Sequence, residues 1–337
     1  MAHARAYLEA LLHDPVTDHP RVGVSFWRHF YEAEFTLSAY VDAMVRFYTT
    51  YRWDLLKLNP RSSYYVEAWG ARFTPSGNPH VGPRMVYTPI QTLADWDRVI
   101  RPIPATEGVF ADQLEAIRQI RDRLGSDVPM VQTVFAPIEV CSRFLPNKWD
   151  LAVLARADPE RFHTVFQIVT EVLTEFAIAA IQAGADGIFF ATQWATHRIP
   201  STMFETFERK YDLALLRAVR PYARYLILHV CGQQNRILEM LDYPVDIFHW
   251  DWIQGENPPF TVVELRTDAV LANGVFGKGL LRFGPPDRIY DYVHRAHAPR
   301  RWLVSAECTF PTDVPHAHLM AVRRAVADLR GEVWEAG

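Results

Sequence analysis

The segment LILHVCG, residues 226–232, ends a continuous apolar run with two residue types that bind metal ions. His229 and Cys231 point to the same side of an extended strand, because side chains alternate along a strand with a period of two. Cys308 stands near the end of another apolar run, at 301–310. Imidazole and thiolate are preferred ligands of Zn²⁺, and three protein ligands leave a fourth position for a substrate or water. The pattern leaves two interpretations equally open, a zinc site and a strand end with a hydrogen-bonded histidine and a buried thiol.

Eight short apolar runs, most of them without the alternation of a half-exposed strand, are separated by segments with helical periodicity. Runs of this kind are typical of strands that are buried on both faces, as in a parallel sheet. They cover residues 21–27, 54–60, 129–137, 184–194, 225–232, 245–252, 269–279 and 301–310. Strand–helix alternation repeated eight times favours an α/β fold of the single-domain (β/α)8 type, a TIM barrel. A doubly wound sheet is the main alternative, although no glycine-rich phosphate turn follows the first run.

Helix signals between the runs support this alternation. Asp158 is suited to cap one long helix, and Ser201 is suited to cap the next. Residues 1–20 predict an N-terminal helical extension, followed by the barrel over residues 21–337. Residues 61–128 are interrupted by Pro and Gly and predict an excursion near the barrel mouth, for which a hairpin is one option.

The composition, with 49% hydrophobic and 22% charged residues, is that of a soluble globular protein. Its acids and bases are interspersed and its formal net charge is −4, so no basic face indicates nucleic-acid binding. Gly184 and Asp186 interrupt the most apolar segment before it reaches the roughly 20 residues of a membrane span. Three cysteines do not make a disulfide scaffold, and Cys141 is interpreted as a core or loop thiol. We therefore expect a reducing, cytoplasmic location.

Catalytic groups of a (β/α)8 barrel come from the C-terminal ends of the strands and from the loops that follow. Polar and aromatic residues cluster at several of these predicted ends. They are Trp27, Arg28 and His29 after the first run, Gln193 and Trp194 after the fourth, His249 and Asp251 at the sixth, and Glu307 with Cys308 at the eighth. The tryptophans are candidates for an apolar wall of a site or for ordinary barrel core.

Four longer segments add a resemblance to a known family. They are GADGIFFATQWATHRIPSTMFETFERKY, VDIFHWDW, NGVFGKGLLRFGPPDRI and CTFPTDVPHAHLMAVRRAV. In this order they resemble segments of the uroporphyrinogen decarboxylase superfamily, from about residue 20 to the end of the chain. The superfamily contains the true decarboxylases and the zinc- and corrinoid-dependent methyltransferases, and the resemblance implies a (β/α)8 barrel.

The methyltransferase branch of that superfamily is resembled more closely than the decarboxylases. True decarboxylases carry an Arg-Gln-x-Gly-Arg loop after the first strand, where this chain has SFWRHFYEAEF with Arg28 alone. They also place a histidine before the final turn, where this chain has Cys308. The segment SSYYVEAWG resembles a Val-Glu-Ala-x-Gly segment of the methyltransferases, which makes Glu67 a candidate fourth ligand or polar wall. The triplet ECT stands where Gly-Cys-Gly is usual, which leaves the loop shape and the acceptor open.

The resemblance implies a zinc-dependent methyltransferase that activates a thiol or another acceptor for methyl transfer to or from a corrinoid cofactor, cobalamin. In this family the corrinoid is carried by a partner protein. The implied metal ligands are His229, Cys231 and Cys308. The further candidates are Glu67, Arg28 and Asp251 for catalysis and Trp27, Gln193, Trp194 and His249 for cofactor binding. A small-molecule methyl donor or acceptor is expected, and a homodimer, known in the superfamily, stays open.

Two other functions remain open from the sequence. The first is a metal-free decarboxylase of the uroporphyrinogen decarboxylase type, acting on a porphyrinogen or a smaller acid with Arg28, Asp54, Lys57 and Asp251. An octa-anionic substrate would be poorly neutralised by one arginine beside two carboxylates. The second is a corrinoid or tetrapyrrole binder without enzymatic activity.

Overall fold

A computed structural model of the chain describes residues 4–15, 21–253, 256–296 and 299–332. Each of the eight predicted runs contains one strand of a parallel sheet. The strands of this sheet are β1 (Arg21–Val24), β2 (Leu56–Leu58), β5 (Met130–Phe135), β6 (Gly187–Thr192), β7 (Tyr225–Val230), β8 (Ile247–Trp250), β9 (Val270–Val275) and β10 (Arg301–Ala306), and the antiparallel hairpin is β3 (Arg72–Thr74) with β4 (Arg84–Tyr87). The order in the sheet is β1-β10-β9-β8-β7-β6-β5-β2.

The two strands at the ends of this order meet. The backbone N–H of Asp54 donates to the Val24 carbonyl at 3.0 Å, and the Val24 N–H donates to the Asp54 carboxylate at 2.6 Å. The Ser25 hydroxyl donates to the Leu55 carbonyl at 2.7 Å. The predicted parallel α/β fold is therefore confirmed in its TIM-barrel-like form, with helices between consecutive strands.

The helices occupy most of the segments between the strands. They are α1 (Ala4–His13), α2 (Leu37–Tyr51), α3 (Tyr64–Glu67), α4 (Asp95–Val99), α5 (Gly108–Leu124), α6 (Pro137–Ser142), α7 (Asp150–Ala157), α8 (Pro159–Gln182), α9 (Ser201–Met203), a π-helix (Phe204–Arg209), α10 (Lys210–Val219), a 3₁₀-helix (Ile237–Glu239), α11 (Phe260–Glu264), α12 (Leu280–Phe283), α13 (Pro286–His294) and α14 (His316–Arg330). Asp158 caps α8 by accepting from the Arg161 amide, as predicted. The predicted Ser201 cap is wrong, because Ser201 is the first helical residue and Pro200 precedes it.

Helix α8 is the helix, among the described residues, that is long and apolar enough to cross a membrane. By length and composition alone this is weak evidence, because core helices of globular proteins have the same properties. Its predicted stripe, which includes Phe162, Val169 and Phe176, is buried against the sheet and neighbouring helices. The packing thus accounts for the apolar composition of this helix.

Helix α1 closes the N-terminal end of the barrel. Leu8 and Leu11 are buried among inward-facing strand residues such as Ile247 and Leu303. The Arg301 guanidinium donates to the Leu11 carbonyl at 2.6 Å and fixes the helix to β10. The predicted N-terminal helix is present, while residues 1–3 and 16–20 lie outside the described residues.

The predicted excursion over 61–128 is too long. Its first part contains the hairpin β3–β4, whose tip reaches the barrel mouth where His80 Nδ1 and Thr312 Oγ1 lie 2.7 Å apart. Its last part is α5, a regular barrel helix that buries Phe110, Leu114 and Ile117. Because Pro and Gly are frequent around the hairpin, the helical periodicity that follows was not separated from it in the sequence analysis.

Candidate metal centre

Three side chains with metal-binding atoms converge at the carboxyl ends of β7 and β10. The Cys308 Sγ atom lies 3.8 Å from Cys231 Sγ and 3.5 Å from His229 Nε2. All three ligand atoms lie within 4.8 Å of one another. Bond lengths of about 2.3 Å to sulfur and about 2.0–2.1 Å to nitrogen place two sulfurs roughly 3.8 Å apart, and sulfur and nitrogen roughly 3.5 Å apart, around a tetrahedral zinc ion. The two distances from Cys308 Sγ match these values, and Cys231 Sγ and His229 Nε2 lie within 4.8 Å of each other.

Local backbone geometry brings Cys231 to this position. His229 is the second-last residue of β7, and Cys231, two residues later, points to the same face of the strand. The Cys231 amide donates to the Thr192 carbonyl of β6 at 2.9 Å, which extends the parallel pairing by one residue. Gly232 then adopts a φ of +89°, a conformation that L-residues rarely adopt, and the chain leaves the sheet. The strand therefore ends directly after the sulfur.

The imidazole of His229 is oriented by a second histidine. His249 Nε2 lies 2.8 Å from the Ala306 carbonyl, and its Nδ1 lies 2.6 Å from His229 Nδ1. A carbonyl oxygen can only accept, so His249 carries its proton on Nε2 and accepts from His229 through Nδ1. This arrangement leaves the Nε2 lone pair of His229 directed toward Cys308. Hydrogen bonds of this type fix the tautomer and ring orientation of metal-binding histidines.

His249 is held in the neutral form that this chain of hydrogen bonds requires. Burial, together with the neighbouring His229, lowers the pKa of His249 well below its ordinary value. The Trp27 ring packs edge-on against the His249 ring with centroids 4.9 Å apart, and against Phe189 at 5.1 Å. Apolar rings thus exclude water from this face of the histidine pair.

The two thiols are coupled to each other. The hydrogen bond from Cys231 lowers the pKa of Cys308 well below its ordinary value, and the neighbouring His229 lowers it further. The same hydrogen bond, together with burial, raises the pKa of Cys231. Of the two thiols, Cys308 is thus the one that loses its proton more readily, and a cation that bound here would displace the protons of the pair.

Glu307 fixes the segment that carries Cys308. Its buried carboxylate accepts hydrogen bonds from the backbone N–H groups of Gly277, at 2.5 Å, and Lys278, at 3.3 Å. Burial raises the pKa of Glu307, while these backbone hydrogen bonds oppose the shift. The loop after β9 is thereby tied to the residue before the candidate ligand. Glu307, the first residue of the ECT triplet, therefore has a structural role.

A cavity of about 170 Å³ opens above the three ligand atoms. Its lining comprises Trp27, His29, Lys57, Asn59, Pro60, Ser62, Tyr64, Thr133, Phe135, Arg143, Phe189, Ala191, Thr192, Gln193, His229, Cys231, Cys308 and Thr309. Burial lowers the pKa of Lys57 from 10.5 to about 7. The Lys57 ammonium donates to the Asn59 side chain and lies 4.6 Å from the Phe189 ring centroid. The cavity thus combines an apolar wall with an amine and a guanidinium.

Of the other predicted site residues, Trp27 and Gln193 line this cavity, and His249 stands behind His229. Gln193 accepts a hydrogen bond from Lys148 at 2.6 Å. Trp194 is fully buried against Trp149, and its ring does not line the cavity.

Two candidate catalytic carboxylates stand apart from the three ligand atoms. Both oxygens of Glu67 are bound by the Arg61 guanidinium at 2.9–3.1 Å, so this carboxylate neither joins the cluster nor lines the cavity. Asp251 is buried and accepts from the Ile253 amide at 3.1 Å, also away from the cavity. The pairing of Glu67 with Arg61, six residues earlier in the chain, could not be predicted from the resemblance of SSYYVEAWG to the family segment.

Arg28 lines a second, larger cavity of about 580 Å³ between the β1 loop, α2 and the hairpin tip. Its guanidinium donates to the Thr312 carbonyl at 2.8 Å and lies over the Phe30 ring, and burial lowers its pKa. Among the decarboxylase candidates, Lys57 lies in the smaller cavity, whereas Asp54 precedes β2 at the opposite end of the barrel and pairs with Arg330. The residues proposed for that alternative are therefore not brought together.

The site contains a histidine–carboxylate hydrogen bond that sequence reasoning missed. His29 Nδ1 lies 2.8 Å from the Glu34 carboxylate, which is completely buried. The available signal was the pairing of a histidine with an acid five residues later, in the loop after the first predicted strand. The tight turn that joins them has no signature in the sequence.

Comparison with known proteins gives a family and a fold. A family model described as uroporphyrinogen decarboxylase (URO-D) matches residues 26–329. A methyltransferase from Methanosarcina mazei has a structure that superposes with a TM-score of 0.81 at 21% identity, covering 97% of this chain and 99% of that chain. At this level of identity the superposition establishes the fold alone.

Curated relatives include both branches of the family. A methylcobamide:CoM methyltransferase, MtaA, from Methanosarcina barkeri is 29% identical over 129 residues, which cover 37% of this chain and 36% of that protein. A methylated-thiol–coenzyme M methyltransferase from Methanosarcina mazei is 22% identical over 68% of this chain and 66% of its own length. A uroporphyrinogen decarboxylase from Trichlorobacter lovleyi is 24% identical over 61% of this chain and 71% of its own length. The matched stretch thus spans about a third of the first relative and about two thirds of the second.

Proposed function

The chain belongs to the uroporphyrinogen decarboxylase (URO-D) family, and we propose that it is a zinc-dependent methyltransferase of that family. The observation that supports this function is the convergence of Cys231, Cys308 and His229 Nε2 within 4.8 Å of one another, with both distances from the Cys308 sulfur at the spacing of a tetrahedral zinc site. Two thiolates and an imidazole are a soft donor set that suits zinc. Methyltransferases among the similar proteins support the reaction class.

The substrates that we propose are a small thiol as methyl acceptor and a methylated corrinoid as donor. When bound, zinc would supply Lewis acidity that lowers the pKa of a coordinated thiol. His229, Cys231 and Cys308 would hold the ion, and His249 would keep the His229 ring in register. A cavity of about 170 Å³ accommodates an acceptor of a few heavy atoms beside the apolar rings of Trp27 and Phe189.

The corrinoid is the less direct part of the proposal. Methylcobamide appears in the name of one relative, and a methylated thiol in the name of another. We propose that a corrinoid, carried by a partner protein, is presented at the barrel mouth, above the cavity that Trp27 and Gln193 line beside the ligand atoms. Methyl transfer in the opposite direction, onto cobalt, uses the same groups. We further propose one barrel domain over 21–337 with α1 as an extension, working in the cytoplasm.

The metal is tested first. We expect purified protein to contain roughly one zinc ion per chain, and Cys231→Ala and Cys308→Ala each to lose it, because two remaining ligands bind zinc weakly. Cys141→Ala is the matched control, since Cys141 is a completely buried thiol outside the cluster. Elemental analysis after gel filtration gives the result. Unchanged zinc content in both cluster variants would contradict the proposal.

The reaction is tested next with methylcobalamin and 2-mercaptoethanol. The expected result is loss of the methylcobalamin absorption spectrum and formation of the methyl thioether by wild type and by Cys141→Ala. Cys308→Ala is expected to be inactive. A zinc-loaded protein that transfers no methyl group but converts uroporphyrinogen to coproporphyrinogen would overturn the methyltransferase assignment.

A further inference from the structure

His29 lines both cavities at the C-terminal face of the barrel. On one side of the residue is the smaller cavity, which also contains Cys308 and Thr309. On the other side is the larger cavity, whose lining includes the exposed residues Arg46 and His80. His29 therefore stands between the candidate metal centre and solvent.

The other partners of His29 determine which of its nitrogens carries the proton. The Glu34 carboxylate accepts from the Phe30 amide at 2.8 Å and lies 2.8 Å from His29 Nδ1. A carboxylate accepts, so Nδ1 carries the proton and Nε2 of the neutral ring has a free lone pair. The Tyr31 ring stacks on the imidazole with centroids 4.8 Å apart. The carboxylate and the stacked ring hold the imidazole in one orientation, as in other carboxylate–histidine pairs that move protons.

We propose that His29 is the general base of the reaction: its Nε2 accepts the proton that the acceptor thiol loses on entering the cavity, and Glu34 is the positioning residue that orients it. This inference rests on the proposed methyl transfer to a thiol. The acceptor's S–H bond breaks and its proton moves to His29, which becomes an imidazolium paired with Glu34. The thiolate sulfur forms a bond to the methyl carbon, and the electron pair of the carbon–cobalt bond stays on the corrinoid cobalt. The proton then leaves through the larger cavity.

Other ionisable groups in the smaller cavity are less suited to this step. The Arg143 guanidinium is paired with Glu139 at 3.1 Å and does not deprotonate in proteins. Lys57 is the rival, since it is an amine in the same cavity. Its contacts with the Asn59 oxygen and the faces of Phe189 and Trp27 are contacts of a cation and a donor. Burial nevertheless lowers the pKa of Lys57 to about 7, so these contacts oppose the loss of its proton without preventing it, and the test therefore includes Lys57→Met.

The experiment compares two acceptors of the same size that differ in protonation at neutral pH. 2-Mercaptoethanol is a protonated thiol, and thioacetate is already an anion. With methylcobalamin as donor, we expect His29→Gln to lower kcat with 2-mercaptoethanol about 100-fold, within the range for general-base catalysis. With thioacetate the same variant is expected to stay within about threefold of wild type, because no proton has to be removed. Glu34→Gln is expected to show a smaller loss of the same kind.

Three controls separate a proton acceptor from a structural role. His294→Gln is the matched histidine substitution, at an exposed position of α13 that lines neither cavity, and is expected to leave both rates unchanged. Zinc content of His29→Gln is expected to equal that of wild type. Calorimetry of 2-mercaptoethanol binding in two buffers of different ionisation enthalpy is expected to show fewer protons released by wild type than by His29→Gln.

Each outcome bears on one of the two proposals. An equal loss with both acceptors, or a loss confined to the thiol in Lys57→Met but absent in His29→Gln, would overturn the role of His29 and leave the methyltransferase intact. Failure of zinc-loaded wild type with both acceptors would instead contradict the proposed function itself.

Discussion

At the scale of single residues, the candidate centre depends on groups that lie behind the three ligand atoms. The Ala306 carbonyl determines the tautomer of His249, and His249 determines which nitrogen of His229 is free. A metal site built on one imidazole and two sulfurs has few ligands, so the orientation of each has a large effect on affinity. The hydrogen bonds behind His229 are therefore part of the site in energetic terms.

Lys57 gives a pH-dependent prediction at this scale. Its pKa is about 7 in the folded chain and 10.5 in a solvated one, so between these values the unfolded state binds more protons. The stability of wild type therefore rises with pH across this window, and at pH below 7 the buried ammonium costs of the order of a few kcal/mol. Lys57→Met lacks this dependence. We expect the variant's stability advantage to be greatest below pH 7 and to shrink as the pH rises toward 10.5.

Urea unfolding of both proteins at pH 6 and pH 9, at identical metal loading, measures this difference. Other titrating groups are common to the two proteins and cancel in the comparison. If the difference in unfolding free energy does not change with pH, the pKa of Lys57 is the same in the folded and the unfolded protein, and the prediction is wrong.

At the scale of elements, sequence patterns identified the strands and three potential ligands but missed most of their supports. Continuous apolar runs located every strand of the parallel sheet, because strands buried on both faces leave such runs. His229, Cys231 and Cys308 were accessible because strand ends share one face of a barrel. The pairing of Glu67 with Arg61 and of His29 with Glu34 depends on loop geometry, which is set by tertiary packing and has no period to detect.

The loop after β9 gives a prediction at this scale. A Cβ atom on Gly277 would lie 2.9 Å from the Glu307 carboxylate and 3.3 Å from the Ala306 side chain. Gly277→Ala therefore displaces the loop or the segment before Cys308. We expect a loss of about 1–3 kcal/mol in the free energy of unfolding, together with weaker zinc retention against a chelator. Thermal or urea unfolding and chelator competition measure the two effects.

Gly82→Ala is the matched control for this loop. A Cβ at Gly82 would meet Tyr31 at 3.4 Å or more, which is ordinary contact. We expect a change within about 0.5 kcal/mol for this variant. Equal stability and equal zinc retention in both alanine variants would show that the Gly277–Glu307 contact does not fix the Cys308 segment.

At the scale of the whole molecule, the two ends of the barrel have separate tasks. The C-terminal ends of the strands hold the ligand atoms and both cavities, whereas the N-terminal end is closed by α1. The junction between β1 and β2, here called the seam, also lies at the N-terminal end of the barrel. There the Asp54 carboxylate accepts from the Val24 amide and pairs with Arg330 at the end of α14. The last helix thus stabilises the junction of the first two strands.

This seam gives a prediction about stability that leaves the chemistry unchanged. Asp54 and Arg330 are each 6% exposed in their side chains, and the Arg330 guanidinium also donates to the Val22 carbonyl at 2.7 Å and lies 3.8 Å from the Tyr7 ring centroid. Asp54→Asn removes the buried counter-ion of Arg330 and leaves only the more exposed Glu332 at 3.6 Å, so we expect a loss of about 3 kcal/mol in unfolding free energy. Arg330→Met is expected to cost a similar amount, and the double variant less than the sum, because neither charge is then left alone.

The exposed pair Arg98–Asp95 is the control, since its arginine is 72% exposed, and Arg98→Ala is expected to cost less than about 1 kcal/mol. Urea unfolding of the four proteins of the cycle measures the coupling, and elemental analysis of the folded single variants measures zinc. We expect zinc content to be unchanged, because the seam lies at the end of the barrel opposite to Cys231 and Cys308. Additive losses in the cycle would mean that the ion pair does not join the strands, and loss of zinc without unfolding would mean that the two ends of the barrel are not independent.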